Sequence, residues 1–163
     1  MWSRKNTVFV QNKNKKQPKI SLKKLVFGCF LVGVTGFDPA ASTSQKNTAL
    51  LKKLHEAGIG VYYLSNIGEQ AFGYLTNTHE FFQYMDGGIA SYREGLLKPD
   101  PAIFELFLER YGKRAQECVF VDDTPVNAEA AASLGFHSVI LKNIDDLTDE
   151  LKKIDELAKI IDA

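Results

Sequence analysis

Residues 119–136 read VFVDDTPVNAEAAASLGF, and this stretch decides the fold. It opens on apolar residues that, with Cys118, make a short strand over Cys118–Val121, too short and too β-branched for a helix. Two adjacent carboxylates, Asp122 and Asp123, follow where the strand must end. Pro125 then sits where a helix begins, the alanine-rich run Val126–Leu134 continues it, and Gly135 stops it. A strand, a polar turn and a helix in this order form half of a βαβ unit.

The same grammar repeats on either side. Upstream, Thr48–Ala57 places Leu50, Leu51 and Leu54 on one helical face, with Lys52, Lys53 and Glu56 elsewhere. Gly58 closes that helix, and Ile59–Leu64 (IGVYYL) is a strand ending at Ser65-Asn66. Gln70–Gln83 is aromatic and helical in parts, and Ile89-Ala90-Ser91 is a short strand. Leu97–Pro101 is a turn opening the helix Ala102–Tyr111, whose Ile103, Phe104, Phe107 and Leu108 share a face. Downstream, Ser138–Leu141 is a last strand, and Leu147–Ile161 reads as one amphipathic terminal helix. Upstream of all these, Leu25–Val34 is an apolar run with the pattern of a strand buried on both faces, and Ala40–Asn47 is a small, polar connection. Strands alternating with helices through short links predict an α/β fold, a Rossmann-like, mostly parallel sheet flanked by helices.

Composition sets the bounds. The 163 residues suit one core, and 45% hydrophobic with 25% charged residues is ordinary for a globular domain. The formal net charge is zero but unevenly spread. Residues 1–37 hold eight basic residues and no acidic one, leaving 20 acidic against 12 basic residues in 38–163. Residues 1–24 are therefore read as a basic, irregular, solvated arm before a core at 25–163, with no nucleic-acid partner expected. Lys23-Lys24 before Leu25–Val34 loosely imitates a secretory signal. The run is too short to span a bilayer, and a core strand explains it, so no membrane partner is expected. Cys29 and Cys118 lie far apart in apolar runs without metal-ligand spacing, which suits a reduced, cytoplasmic setting. His55, His79 and His137 likewise show no metal spacing.

In an open parallel sheet, ligands bind at the carboxyl ends of the strands. Ser65-Asn66 and Asp122-Asp123 should therefore meet on one rim, with Lys98 reaching it from the loop before a helix. Paired carboxylates suit a hard cation such as Mg²⁺. A hydroxyl, a helix start and a lysine suit phosphate oxygens.

Three segments in order resemble the haloacid dehalogenase-like hydrolases. ALLKKLHEAGIGVYYLSN (49–66) looks like the second motif of that superfamily, GGIASYREGLLKPDPAIFELFLERYG (87–112) like the third, and VFVDDTPVNAEAAASLGF like the fourth. The resemblance implies that Ser65 binds the transferred phosphoryl group, joined by Asn66 beside it. It implies that Lys98 steadies the phosphoryl group and the nucleophile, that Asp122 and Asp123 hold Mg²⁺, and that Asn127 braces the acidic loop. The implied function is Mg²⁺-dependent hydrolysis of a small phosphate ester.

The first motif, an apolar strand ending in Asp-x-Asp, is missing. Before Ser65 the acidic residues are Asp38 and Glu56, and Glu56 lies within a helix. Asp38 is the candidate nucleophile. Gly36-Phe37 separate it from the apolar run, Pro39 follows, and Ala40 stands where a general acid would be. Residues 1–47 carry no motif of the family, and the link from Asp38 to Ser65 is too short for a cap domain. Impaired catalysis is the expectation. The alternative is a truncated, non-catalytic relative that binds phosphate, metal or protein partners. Substrate identity and oligomeric state are not legible.

Overall fold

The structure, a computed structural model, describes residues 24–28 and 42–163, with side chains from residue 45 onward. Five strands form one sheet: β1 Lys24–Gly28, β2 Gly60–Ser65, β3 Gly87–Ala90, β4 Cys118–Asp122 and β5 His137–Ile140. Their order is β3-β2-β1-β4-β5, and every pair is parallel. The fold is the expected Rossmann-like α/β sheet. Lys24–Gly28 occupies its centre, with Leu25 level with Val61 of β2 and Val119 of β4. The remainder of the apolar run, residues 29–34, lies outside the described residues, as does the basic arm up to residue 23.

Helices cover both faces: α1 Ser42–Glu56, α2 Glu69–Thr78, α3 Ser91–Glu94, α4 Pro101–Arg110, α5 Pro125–Ser133, α6 Leu147–Lys152 and α7 Asp155–Asp162. Strand alternation divides the core between them. Val61, Val119 and Val121 point to one side, where Leu50, Leu51 and Leu54 of α1 meet Leu147, Leu151 and Leu157. Tyr62, Leu64, Cys118 and Phe120 point to the other, against Ile103, Phe104 and Phe107 of α4 and Ala131 of α5. The first face is mainly aliphatic. The second is largely aromatic, with Phe104 edge-on to both Phe120 and Phe136.

Three local expectations change. The connection read over Ala40–Asn47 is helical from Ser42. Once the apolar turns of α1 are formed, each added residue fixes one further hydrogen bond at little cost, so weak helix formers are carried along. Asn47 is buried and donates its side-chain amide to the Ile144 carbonyl at 3.4 Å. Ser91, read as the end of a strand, instead opens α3, and its hydroxyl accepts from Ile67 N–H and donates to Ile67 C=O.

The single terminal helix is two. An unbroken helix over Leu147–Ile161 would run straight for roughly 22 Å. The extended backbone at Ile154 (φ −101°, ψ 110°) redirects the chain. Thus α7 packs on both α6 and α1, while Leu147, Leu151, Ile154 and Leu157 all stay buried.

Two glycines are demanded by geometry. Gly58 ends α1 with φ +80°, a conformation that favours glycine. At Gly88 a Cβ would lie 2.3 Å from the Tyr63 carbonyl oxygen, so no larger residue fits. That bare stretch of edge strand is closed by Tyr111, whose hydroxyl accepts from Gly88 N–H at 2.6 Å and donates to Gly88 C=O at 3.0 Å.

Candidate functional site

The parallel sheet brings Ser65 and Asp122 to the same edge, because both are the last residues of strands flanking β1. Both side chains are withdrawn from solvent: Ser65 is 3% exposed and Asp122 not at all. Lys98 arrives from the loop between α3 and α4. Its ammonium donates to Asp122 Oδ2 at 2.7 Å, and both side chains of this ion pair are fully buried. The ammonium also lies 5.6 Å from the centre of the Phe120 ring, on the aromatic face of the sheet.

Every oxygen of Asp122 is engaged. Oδ1 accepts from Thr124 N–H at 2.8 Å and from the Asn127 amide at 3.1 Å. Asn127 is itself buried in α5, so it braces the acidic loop as expected. A buried carboxylate is tolerable only when its charge and lone pairs are met in this way. Asp123 is half-exposed beside it, accepting from the Thr124 hydroxyl at 3.1 Å.

Asn66, expected among the phosphate-binding groups, is engaged with the backbone of Lys98. Its Oδ1 accepts from Lys98 N–H and its Nδ2 donates to Lys98 C=O, each at 2.8 Å. The amide thus clamps the backbone of the residue that carries the cation, tying the end of β2 to a loop 32 residues away. A two-way side-chain clamp has no local sequence signature, so only the fold could reveal it. Asp100 then caps α4 by accepting from Ala102 N–H, with Pro101 in the first turn, which fixes the other end of the Lys98 loop. Phe120 falls in the strand expected over Cys118–Val121, and nothing in the sequence marks it as the ring beneath Lys98.

Asp38 lies outside the described residues. Among those described, no three His, Cys, Asp or Glu side chains converge as a metal site. His79 is buried and stacked on Phe81, and burial holds its pKa below the usual histidine value. Desolvation also lowers His137, with the Glu156 charge opposing it. A cavity of about 380 Å³ opens between α1 and the segment after α2, lined by Gln45, Thr48, Lys52, His79, Glu80 and Phe81 among others. None of the site residues borders it.

Comparison with known proteins bears on this constellation. The family model for haloacid dehalogenase-like hydrolases matches residues 7–135. The chain belongs to the haloacid dehalogenase-like hydrolases. The match begins inside the basic arm and takes in residues 7–47, part of the segment in which the sequence shows no family motif. A sesquiterpene phosphatase of Aspergillus oryzae is 32% identical over 80% of this chain and 68% of its own length. A chloroplast flavin mononucleotide hydrolase of Arabidopsis thaliana is 28% identical over 44% of this chain and 29% of its own length. Among solved structures, a haloacid dehalogenase family enzyme of Bacteroides thetaiotaomicron, in complex with magnesium and inorganic phosphate, superposes with TM-score 0.53 at 29% identity. That superposition covers 59% of this chain and 50% of the other. An uncharacterized protein of Corynebacterium glutamicum shares the fold over 86% of this chain and 96% of its own, with TM-score 0.64 and 22% identity. No described helix is long and apolar enough to cross a membrane.

Proposed function

We propose that this haloacid dehalogenase-like chain binds the phosphoryl group of a small phosphate ester together with Mg²⁺ and hydrolyses the ester slowly. The observation that carries this reading is the buried Lys98–Asp122 pair at the carboxyl edge of the sheet, with Ser65 at the end of the strand across β1. A cation and a carboxylate held this tightly out of water are costly for stability alone. They suit a site that must present fixed charges to a polyanion. Relatives that are phosphatases, and a fold relative crystallised with magnesium and phosphate, support the same reading.

The donor chemistry fits Mg²⁺. That ion is commonly held by one or two carboxylates, with water and phosphate oxygens completing an octahedron. Asp122 and Asp123 supply two carboxylates on one loop. When bound, the ion would neutralise charge on the phosphoryl oxygens. Ser65 donates its hydroxyl to a phosphoryl oxygen. Lys98 offsets the phosphoryl charge from the aromatic side, held in place by Phe120 beneath it and by the Asn66 clamp on its backbone. Asn127 and Thr124 N–H hold Asp122 in its orientation. Asp38 is the proposed nucleophile. Ala40 lacks a group to protonate the leaving oxygen, so turnover is slow.

The second reading, a module that binds phosphate and metal without turnover, is favoured by the missing Asp-x-Asp. Hydrolysis of a generic aryl phosphate with Mg²⁺ separates the two, run for the wild type beside Asp122→Ala and Asp38→Asn. Turnover in the wild type and none in either variant establishes the enzyme with Asp38 as nucleophile. Wild-type turnover equal to that of Asp122→Ala sinks it, and titration with inorganic phosphate then decides whether the binding module stands.

A further inference from the structure

The chain from Ser91 to Lys98 leaves the end of β2 and returns to it. The backbone ladder between β2 and β3 ends with Ser65 level with Ala90. Beyond Ala90 the chain turns into α3, a single helical turn that Gly95 closes with φ 67°, so the backbone pairing stops there. The Ser91 hydroxyl continues it. It accepts from Ile67 N–H at 2.9 Å and donates to Ile67 C=O at 3.1 Å, and Ser91 and Ile67 are each only 6% exposed. Seven residues later, the backbone N–H and C=O of Lys98 are held by the side chain of Asn66, the neighbour of Ile67. The span therefore stands on two feet, planted on adjacent residues beside Ser65.

Between the feet, Arg93, Gly95 and Leu97 are exposed. Leu96 packs against the aromatic cluster, and Glu94 accepts from both terminal nitrogens of Arg110 at 2.6 and 2.7 Å. Those contacts hold the span against α4. The ion pair with Asp122 holds the Lys98 ammonium to β4. Neither reaches the strand that carries Ser65, whereas the Ser91 and Asn66 bonds do. Two groups that converge on one anion from separate segments must keep their spacing to about 0.5 Å to act together. With one foot released, the span can pivot on the other, and the spacing is lost.

We propose that Ser91 is a positioning residue which, together with Asn66, sets the separation between the Ser65 hydroxyl and the Lys98 ammonium at the phosphoryl site. This rests on the phosphate-binding reading above and names the residue that fixes its geometry. A hydroxyl that merely satisfied the buried backbone of Ile67 would support stability alone. The molecule contains a matched control. Tyr111 makes the same two-way bond with its hydroxyl, to Gly88 of the same strand β3, two residues before Ala90. That bond lies outside the Ser91–Lys98 span.

The test is calorimetric titration of the full-length chain with inorganic phosphate, Mg²⁺ present, with affinities referred to the folded fraction. Ser91→Ala should weaken phosphate binding about tenfold, the worth of one lost hydrogen bond. Tyr111→Phe should bind within twofold of the wild type. Ser91→Cys keeps the shape while weakening both bonds, and it should shift affinity in the same direction even if the alanine variant does not fold. In Ser91→Ala/Asn66→Ala the combined loss should be smaller than the product of the two single losses, because the second foot matters less once the first is free. Phosphate bound by the Ser91 variants as tightly as by the wild type, or weakened equally in Tyr111→Phe, overturns the positioning role and leaves the phosphate reading intact. Losses that simply multiply in the double variant overturn the shared role with Asn66. A wild type that binds no phosphate overturns both readings together.

Discussion

The two faces of the sheet are built from the same strands, yet they do different work. The face under α1, α6 and α7 is mainly aliphatic, and of the site residues on the strands only Ser65, two pleats on from Val61, lies on its side. The face under α4 and α5 carries Tyr62, Phe104, Phe107, Phe120 and Phe136, and from it Lys98 and Asp122 emerge at the carboxyl edge. Aliphatic packing needs only volume and the right period. A buried ammonium needs a partner, and the faces of aromatic rings supply a weak electrostatic one beside the carboxylate. The contrast shows where stability and function can be perturbed separately.

The largest effect should come from cutting the ion pair itself. Asp122→Ala leaves the Lys98 charge buried without its counterion, which should lower stability by about 3–5 kcal/mol and abolish phosphate binding. The double variant Lys98→Met/Asp122→Leu should recover most of that stability and none of the binding. Denaturant unfolding with phosphate titration reads both quantities. If the double variant is as unstable as Asp122→Ala, the pair is structural and the aromatic face has no special role.

Truncation within the aliphatic face should do the reverse. Leu54 is wholly buried there, and Leu54→Ala should lower stability by about 2–5 kcal/mol through the cavity it leaves. Phosphate affinity of the folded fraction should stay within twofold of the wild type. A change beyond tenfold would mean the two faces are mechanically coupled through the strands, which erases the contrast.

Smaller effects sharpen the picture on the site side. Asn66→Ala removes both hydrogen bonds to the Lys98 backbone and should lower stability by about 1–3 kcal/mol. It should also weaken phosphate binding, since the loop that carries the ammonium is released from β2. If affinity is unchanged while stability falls, Asn66 holds the fold alone and does not position Lys98.

These distinctions were unevenly legible before the structure. Val61, Tyr62, Val119, Phe120 and Val121 lie in short apolar runs that read as buried strands, but a run apolar on both faces does not say which face is which. The division appears only when helices are assigned to sides. The meeting of Ser65, Lys98 and Asp122 at one edge followed from strand ends in a parallel sheet, although the roles given to them came from family resemblance. The Asn66 clamp could not be read, because it joins a side chain to a backbone 32 residues away and leaves no periodic trace. Nor could the break at Ile154, since Leu147, Leu151, Ile154 and Ile161 fit one helical stripe that gives no sign of an interruption.

The smallest effect concerns protons, and it belongs to the aliphatic side. His79 is buried against Phe81, a member of the aliphatic cluster, and desolvation lowers its pKa from 6.5. Above pH 6.5 the imidazole is neutral in both folded and unfolded chains, so its contribution is constant. As pH falls below 6.5 the unfolded chain takes up a proton that the folded chain resists, and stability declines until the folded-state pKa is passed. His137 has the same sign, with the Glu156 charge working against the shift. Melting temperatures measured from pH 7.5 to 5.5 should therefore fall on acidification, and less steeply in His79→Gln than in the wild type. Phosphate affinity referred to the folded fraction should not acquire an extra pH dependence from this residue, which lies in no contact with Lys98 or Asp122. An identical melting profile in His79→Gln would show that the aliphatic face tolerates the charged imidazole, and that its separation from the polar chemistry of the opposite face is weaker than the packing implies.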